Sequence, residues 1–384
     1  MRHRISVIFA LIFSVVSAFA LDNGKPITTD SVKPKLNLYQ RVIRYFEQSN
    51  QVKPQKDFDI SFIGGPHYSS DSKFGIGLVA AGVYRHDKTD TITQPSNVSI
   101  YFDATTTMHF RLGVCGTHFY TNDKRRWSYD VNFASINTKF WGIGYDNAIN
   151  DDNESDYKYL SSRAETEFVW RVARNFYAGP IAAFDYINGR DFEKPWLWND
   201  EADRTFNVGV GLTLQYDTRD NITCTTHGTF LKVEQMFNPH FLANKYSFAL
   251  TELTASSFHP LWRGATLATN LHSRLTYGNT PWGLLSIIGG SHNMRGYFEG
   301  RYRDKCEFDA CVELRQHIWH RNGVAAWIGA GSIFPKFSTL RWRRILPNYG
   351  IGYRWEFKHF MNVRLDLGFG RHQTGFIFSI NEAF

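Results

Sequence analysis

The sequence predicts an all-β fold: a transmembrane antiparallel β-barrel of about 16 strands, with one loop folded into the lumen. Three observations carry this. Short segments alternate apolar and polar residues with period two. The chain opens on an export-like stretch, yet no later run is apolar for long enough to cross a membrane as a helix. Between two alternating segments sits an Arg-Gly-Tyr turn, Arg295-Gly296-Tyr297, in a glycine-flanked loop. Only helices and closed barrels satisfy every backbone polar group in lipid, so an exported membrane chain without long apolar runs must be a barrel.

At the start, Arg2 and Arg4 precede an apolar run from Ile5 to Val16, and Ala18-Phe19-Ala20 is a small-x-small cleavage site. Residues 1–20 therefore read as a signal peptide. The run is shorter than the roughly 20 residues a membrane helix needs. Residues 21–57 read as a short periplasmic lead. Within it Leu36, Tyr39, Val42, Ile43 and Phe46 fall at helical spacing, with Lys33, Lys35, Arg41 and Arg44 beside or opposite them. Two placements stay open. Such a helix could lie in the membrane interface with its basic groups near phosphates, or pack on the barrel rim or inside it.

Residues 58–384 read as one barrel. Roughly 330 residues, at about 9–11 per strand plus turns and loops, fit about 16 strands. Phe206, Val208, Val210, Leu212, Leu214 and Tyr216 alternate with Asn207, Gly209, Gly211, Thr213, Gln215 and Asp217. Tyr349, Ile351, Tyr353, Trp355 and Phe357 alternate with Gly350, Gly352, Arg354 and Glu356. Val363, Leu365, Leu367 and Phe369 alternate with Arg364, Asp366, Gly368 and Gly370. Each first set is expected on lipid and each second set in the lumen. Glycine on the inner face lets another chain segment approach closely. Turn signals at Thr218 to Asn221 and His320 to Gly323 separate strands. The polar stretches Asn147 to Asp156 and Asn188 to Arg204 read as extracellular loops, with Trp196 and Trp198 expected at an interface or the barrel mouth.

Composition agrees and excludes several classes. Mean hydropathy is −0.35, too polar for a helical membrane protein. Aromatics reach 16%, as the girdles of membrane strands require. The net charge of +7 is spread along the chain, and no nucleic-acid motif accompanies it. The 14 histidines, including His272, show no metal-ligand or metalloprotease spacing, so no metal and no cofactor are expected. No Gly-x-Ser-x-Gly elbow occurs, and His272 and Ser273 point to opposite faces of a strand, so an enzyme is not expected. Four cysteines, Cys115, Cys224, Cys306 and Cys311, allow three pairings that sequence does not separate. Cys306 and Cys311 can pair only if their segment is not regular strand.

Six pieces in order resemble one family: GLTLQYDTRDN (Gly211 to Asn221), GGSHNMRGYFEGRYRDK (Gly289 to Lys305), CVELR (Cys311 to Arg315), YGIGYRWEF (Tyr349 to Phe357), VRLDLGFG (Val363 to Gly370) and the final INEAF. Residues 58–384 resemble the BamA/TamA-like outer-membrane insertase and transporter superfamily, which includes the bacterial surface antigens. The resemblance implies a bacterial outer-membrane location. It also implies a loop that enters the lumen, where its arginine meets acidic residues of the inner wall. Carried over, Arg295 is the anchor, Glu313 and Asp366 are its acidic partners, Gly296 permits a turn at positive φ or close packing, and Tyr297 packs over the anchor. The bland alternative is an exposed loop whose arginine meets solvent.

The last segment, with Gln373, Gly375, Phe378, Ile380 and the aromatic Phe384, resembles the signal that outer-membrane strands present to the barrel assembly machinery. The roughly 37 residues before the first strand are too few for even one periplasmic repeat domain to form a core. The family role expected is outer-membrane biogenesis or protein or lipid translocation. Partners would be outer-membrane lipid, the assembly machinery and client proteins or lipids. A passive pore, a structural barrel or the anchor of an envelope complex are the alternatives.

Overall fold

The computed structural model describes residues 58–69, 72–85, 93–198, 203–358 and 361–384. The expected signal and the lead with Leu36, Tyr39, Val42, Ile43 and Phe46 lie outside the described residues. Among the described residues, eighteen strands follow in order: β1 (Phe58–Ser69), β2 (Lys73–Tyr84), β3 (Ser96–Thr105), β4 (Phe110–Phe119), β5 (Arg125–Phe140), β6 (Ser155–Ala173), β7 (Phe176–Arg190), β8 (Arg204–Asp217), β9 (Gly228–Asn238), β10 (Phe248–Pro260), β11 (Ala265–Gly278), β12 (Ser286–Ile288), β13 (Tyr302–Asp304), β14 (Cys306–Trp319), β15 (Asn322–Phe334), β16 (Leu346–Lys358), β17 (Met361–Gly370) and β18 (Gln373–Ile380).

Sixteen of these form one antiparallel sheet in chain order, with β11 paired directly to β14. The remaining two, β12 and β13, pair with each other as a hairpin inside the intervening loop. The sheet returns on itself: β18 lies beside β1, with the rings of Tyr68 and Phe376 6.4 Å apart. The result is a β-barrel.

Local pattern sets the two faces. Along β8, Phe206, Val210, Leu212 and Leu214 are exposed on the outside while Thr205, Asn207, Thr213, Gln215 and Asp217 are buried inside. The same split holds on β17, where Arg364 and Asp366 are fully buried in the lumen. One residue departs from its expected face. The β16–β17 register shifts between Glu356 and Lys358, and Phe357 is buried instead of facing lipid. An extra residue in one strand re-aims its side chain in this way.

The three longest connections (141–154, 191–203 and 279–305) lie at one end, and the connections 174–175, 261–264 and 320–321 are short turns at the other. That asymmetry marks the long-loop end as extracellular. The expected loops shrink at their edges, because Asn188 belongs to β7 and Arg204 opens β8. Trp196 is exposed, while Trp198 is buried against Phe140, Phe192 and Trp282. Near the short-turn end, Trp170, Trp262 and Trp319 face outward, as an interfacial girdle requires. All four cysteines are free; Cys306 and Cys311 both sit in regular strand β14.

Candidate functional site

The loop between β11 and β14 folds inward because its sequence gives it a partner at each step. Its hairpin β12–β13 and its tip supply Ile288, Met294, Tyr297 and Tyr302, which form an apolar cluster with Tyr145, Ala148, Ile333 and Leu346 from neighbouring loops and wall. The tip then carries Arg295 into the wall, where it is 1% exposed. Arg295 Nη1 donates to Asp366 Oδ2 at 2.8 Å, and Nη2 donates to Glu313. The Trp327 ring lies 3.8 Å from the guanidinium, a cation–π contact. Trp327 in turn donates from its indole to Asn348 at 2.9 Å, and Asn348 donates to the Arg295 carbonyl.

Glycine makes the approach possible. Gly296 has φ +112°, and a Cβ there would lie 2.6 Å from the carbonyl carbon of Gly368. On the wall side, a Cβ on Gly368 would lie 2.3 Å from the Arg295 oxygen, and one on Gly375 2.9 Å from the Gly296 Cα. The loop lies backbone against backbone on β17 and β18, a contact no side chain would allow.

The anchor belongs to a larger cluster. Arg354 Nη1 donates to Asp366 at 2.6 Å, Arg364 Nη1 to Asp366 at 3.1 Å and Arg315 Nε to Glu313 at 2.7 Å. Arg364 also reaches the Ser291 carbonyl at 2.8 Å, fastening the loop a second time. Glu382, which sequence reading did not single out, accepts from Arg354 Nε at 2.8 Å and from Asn362 at 2.7 Å. Four guanidiniums thus meet three carboxylates.

The structure brings Arg295, Glu313 and Asp366 together. It places Tyr297 differently from expectation. The ring over the guanidinium is Trp327, while the Tyr297 hydroxyl donates to the Pro347 carbonyl at 2.6 Å and accepts from the Arg371 amide at 2.7 Å. The last strand divides by face. Gln373 accepts from the Phe298 amide at 2.9 Å and Gly375 seats Gly296, so both serve the loop, whereas Phe378 is exposed toward lipid and Ile380 closes the strand. Phe384 lies beyond β18 rather than in it. Asn381 turns the chain at φ +65°, and Phe384 stacks under Arg315, 5.1 Å from its guanidinium, with Phe258 6.4 Å away. Ionic capture of Glu382 by Arg354 draws this segment inward.

The long-loop end is packed together by side chains. Phe140, Tyr157, Leu197, Trp198 and Trp282 pack as one buried aromatic cluster drawn from two wall strands and two loops. Arg301 donates to the Ala148 carbonyl at 2.9 Å, and Arg344 bridges Asp146 at 2.7 Å.

Residues 55–384 match the Omp85 superfamily domain, and the chain belongs to the Omp85 superfamily. Among curated proteins, none matches. Among solved structures, it is similar to BamA from Haemophilus ducreyi lacking POTRA domains 1–3, at 13% identity and a TM-score of 0.55, over 85% of this chain and 71% of that one. It is also similar to CdiB from Acinetobacter baumannii, at 11% identity and a TM-score of 0.53, over 85% and 60%. CdiB from Escherichia coli aligns at 9% identity and a TM-score of 0.54, over 86% and 62%. The chain thus spans less than two thirds of either CdiB chain. It is a bacterial outer-membrane β-barrel.

Proposed function

We propose that this Omp85-superfamily barrel acts in outer-membrane biogenesis, or in moving protein or lipid at that membrane, without enzymatic chemistry and with its lumen held shut. The supporting observation is the docked loop: Arg295 pairs with two buried carboxylates of the wall. A lumen blocked by a segment so fastened does not suit steady flow of solutes. Work on a client would instead use the wall at its seam. There β18, eight residues long, lies beside β1, which carries Gly64, Gly65 and Pro66. Glycine and proline weaken a strand's ladder, and an opened strand edge is a template for another chain.

Liposomes containing the purified protein, with and without residues 21–57, test this when folding of added barrel proteins, lipid flipping and ion flux are scored together. The expected result is accelerated folding or flipping with little conductance. Large steady conductance with neither effect would establish a pore instead. Inactivity in all three assays, with capture of a fixed envelope partner by crosslinking, would establish an anchor.

A further inference from the structure

We propose that the lumen wall holds a divalent transition-metal ion of the Zn2+ class, ligated by His272, Glu307 and Asp309. The three come from two strands: His272 on β11 stands opposite Asp309 on β14, and Glu307 lies two residues along the same inner face. Their donor atoms all fall within 4.8 Å of one another. His272 Nδ1 is 2.8 Å from Glu307 Oε1 and 3.5 Å from Asp309 Oδ2. The other ring nitrogen, Nε2, lies 3.1 Å from Glu252 Oε1. Metal-ligating histidines take this arrangement: one nitrogen donates to a carboxylate, which orients the ring and leaves the other nitrogen's lone pair for the ion.

A second observation points into the same space. Glu307 is 2% exposed, and neither of its carboxylate oxygens has an aligned hydrogen-bond partner. Nδ1 of His272 has none either. A lone pair facing two carboxylates is repulsive unless a cation lies between them. A proton on Nδ1 can point at one oxygen only, whereas a metal ion takes a donor from each residue at once. Charge counts the same way. Glu252, Glu307 and Asp309 face one guanidinium, Arg274, which pairs with Glu252 at 2.8 Å, leaving the carboxylates of Glu307 and Asp309 beside the imidazole. Arg163, the next cation, is already placed between Glu165 and Asp185. An imidazole among the donors selects Zn2+ and its neighbours over Ca2+ or Mg2+, which prefer oxygen alone.

The test uses the tag-free folded barrel in detergent, stripped with chelator and titrated with Zn2+ alone and then with Co2+ alone. One equivalent should bind, with visible Co2+ absorption. His272→Gln and Glu307→Gln should each abolish that spectrum. Glu252→Gln, which touches the far ring nitrogen and Arg274, should weaken binding by about 10-fold or more. Heat-modifiable migration on gels identifies which variants fold. If His272→Gln or Glu307→Gln does not fold, Asp309→Asn and the wild-type Co2+ spectrum decide. Failure of the wild type to bind either ion, or undiminished binding in the folded variants, overturns the proposal and leaves His272 as a protonated ion-pair partner.

Discussion

On the side of the lumen built by β5 to β9, inward charges find partners within the wall and its turns. Arg126 pairs with Asp123 at 2.8 Å and Asp217 at 3.0 Å, and Lys232 pairs with Glu167 at 2.8 Å and Glu234 at 2.7 Å. On the side built by β14 to β18, an arginine from a loop enters a cluster that already holds Arg315, Arg354 and Arg364 against Glu313, Asp366 and Glu382. Without Arg295 that cluster would balance, three charges against three. Neutrality therefore does not summon the loop. What places it is shape: a glycine-floored slot on β17 and β18, the Trp327 ring and the bond from Asn348.

The comparison predicts a ranking. Asp366→Ala should be the most damaging change, because it strips an acceptor shared by Arg295, Arg354 and Arg364. Breaking a buried ion cluster costs about 3–5 kcal/mol, so the folded, heat-modifiable band should be largely lost. Asp217→Ala on the opposite wall should also cost stability, yet leave the loop resistant to trypsin in intact cells. If both variants expose the loop equally, the two walls are not independent.

Arg295→Ala should cost less than Asp366→Ala, about 2–3 kcal/mol for the lost charge-assisted bonds, since the remaining charges balance. Folding yield and loop protection should both fall. Arg295→Lys should recover only part of either, because an ammonium lacks the planar fork that reaches two carboxylates. Wild-type gel migration and wild-type assembly of Arg295→Ala would refute the anchor role.

Gly368→Val attacks the slot without touching a charge. Its Cβ would meet the Arg295 oxygen at 2.3 Å, so the loop should lift while the barrel remains, at about 1–3 kcal/mol. Trypsin sensitivity of the loop with an intact barrel band is the expected readout.

The smallest effect concerns pH. Burial raises the carboxyl of Asp304, in the loop hairpin, from the ordinary 3.8 to about 6. A carboxyl raised on docking favours the docked state below its free value, and that advantage is lost as pH rises through about 6. Loop protection in the wild type should therefore be greater at about pH 5 than at about pH 7.5, and Asp304→Asn should flatten the difference.

Much of the site was legible from single residues in alternating strands. Glu313 and Asp366 face inward because their neighbours Leu314 and Leu365 do not, and period two forces the rest. Glu382 was hidden because it lies after the last strand, where no periodicity applies. Trp327 was hidden because its stack on Arg295 depends on where a distant loop tip lands. His272 looked isolated for a similar reason: its carboxylate neighbours come from β10 and β14, at sequence distances that match no metal motif.

The order of residues alone determined that this chain makes a barrel with a greasy exterior and a charged lumen. Side-chain direction in a strand is a property of the local backbone. It left open which charges would meet, which ring would cover Arg295, and that the segment from Asn381 to Phe384 would turn inward. Those depend on cross-strand register, on the bulge beside Phe357 and on the depth the loop reaches. Only closure of the whole sheet sets these, because each joins residues that the chain itself keeps far apart.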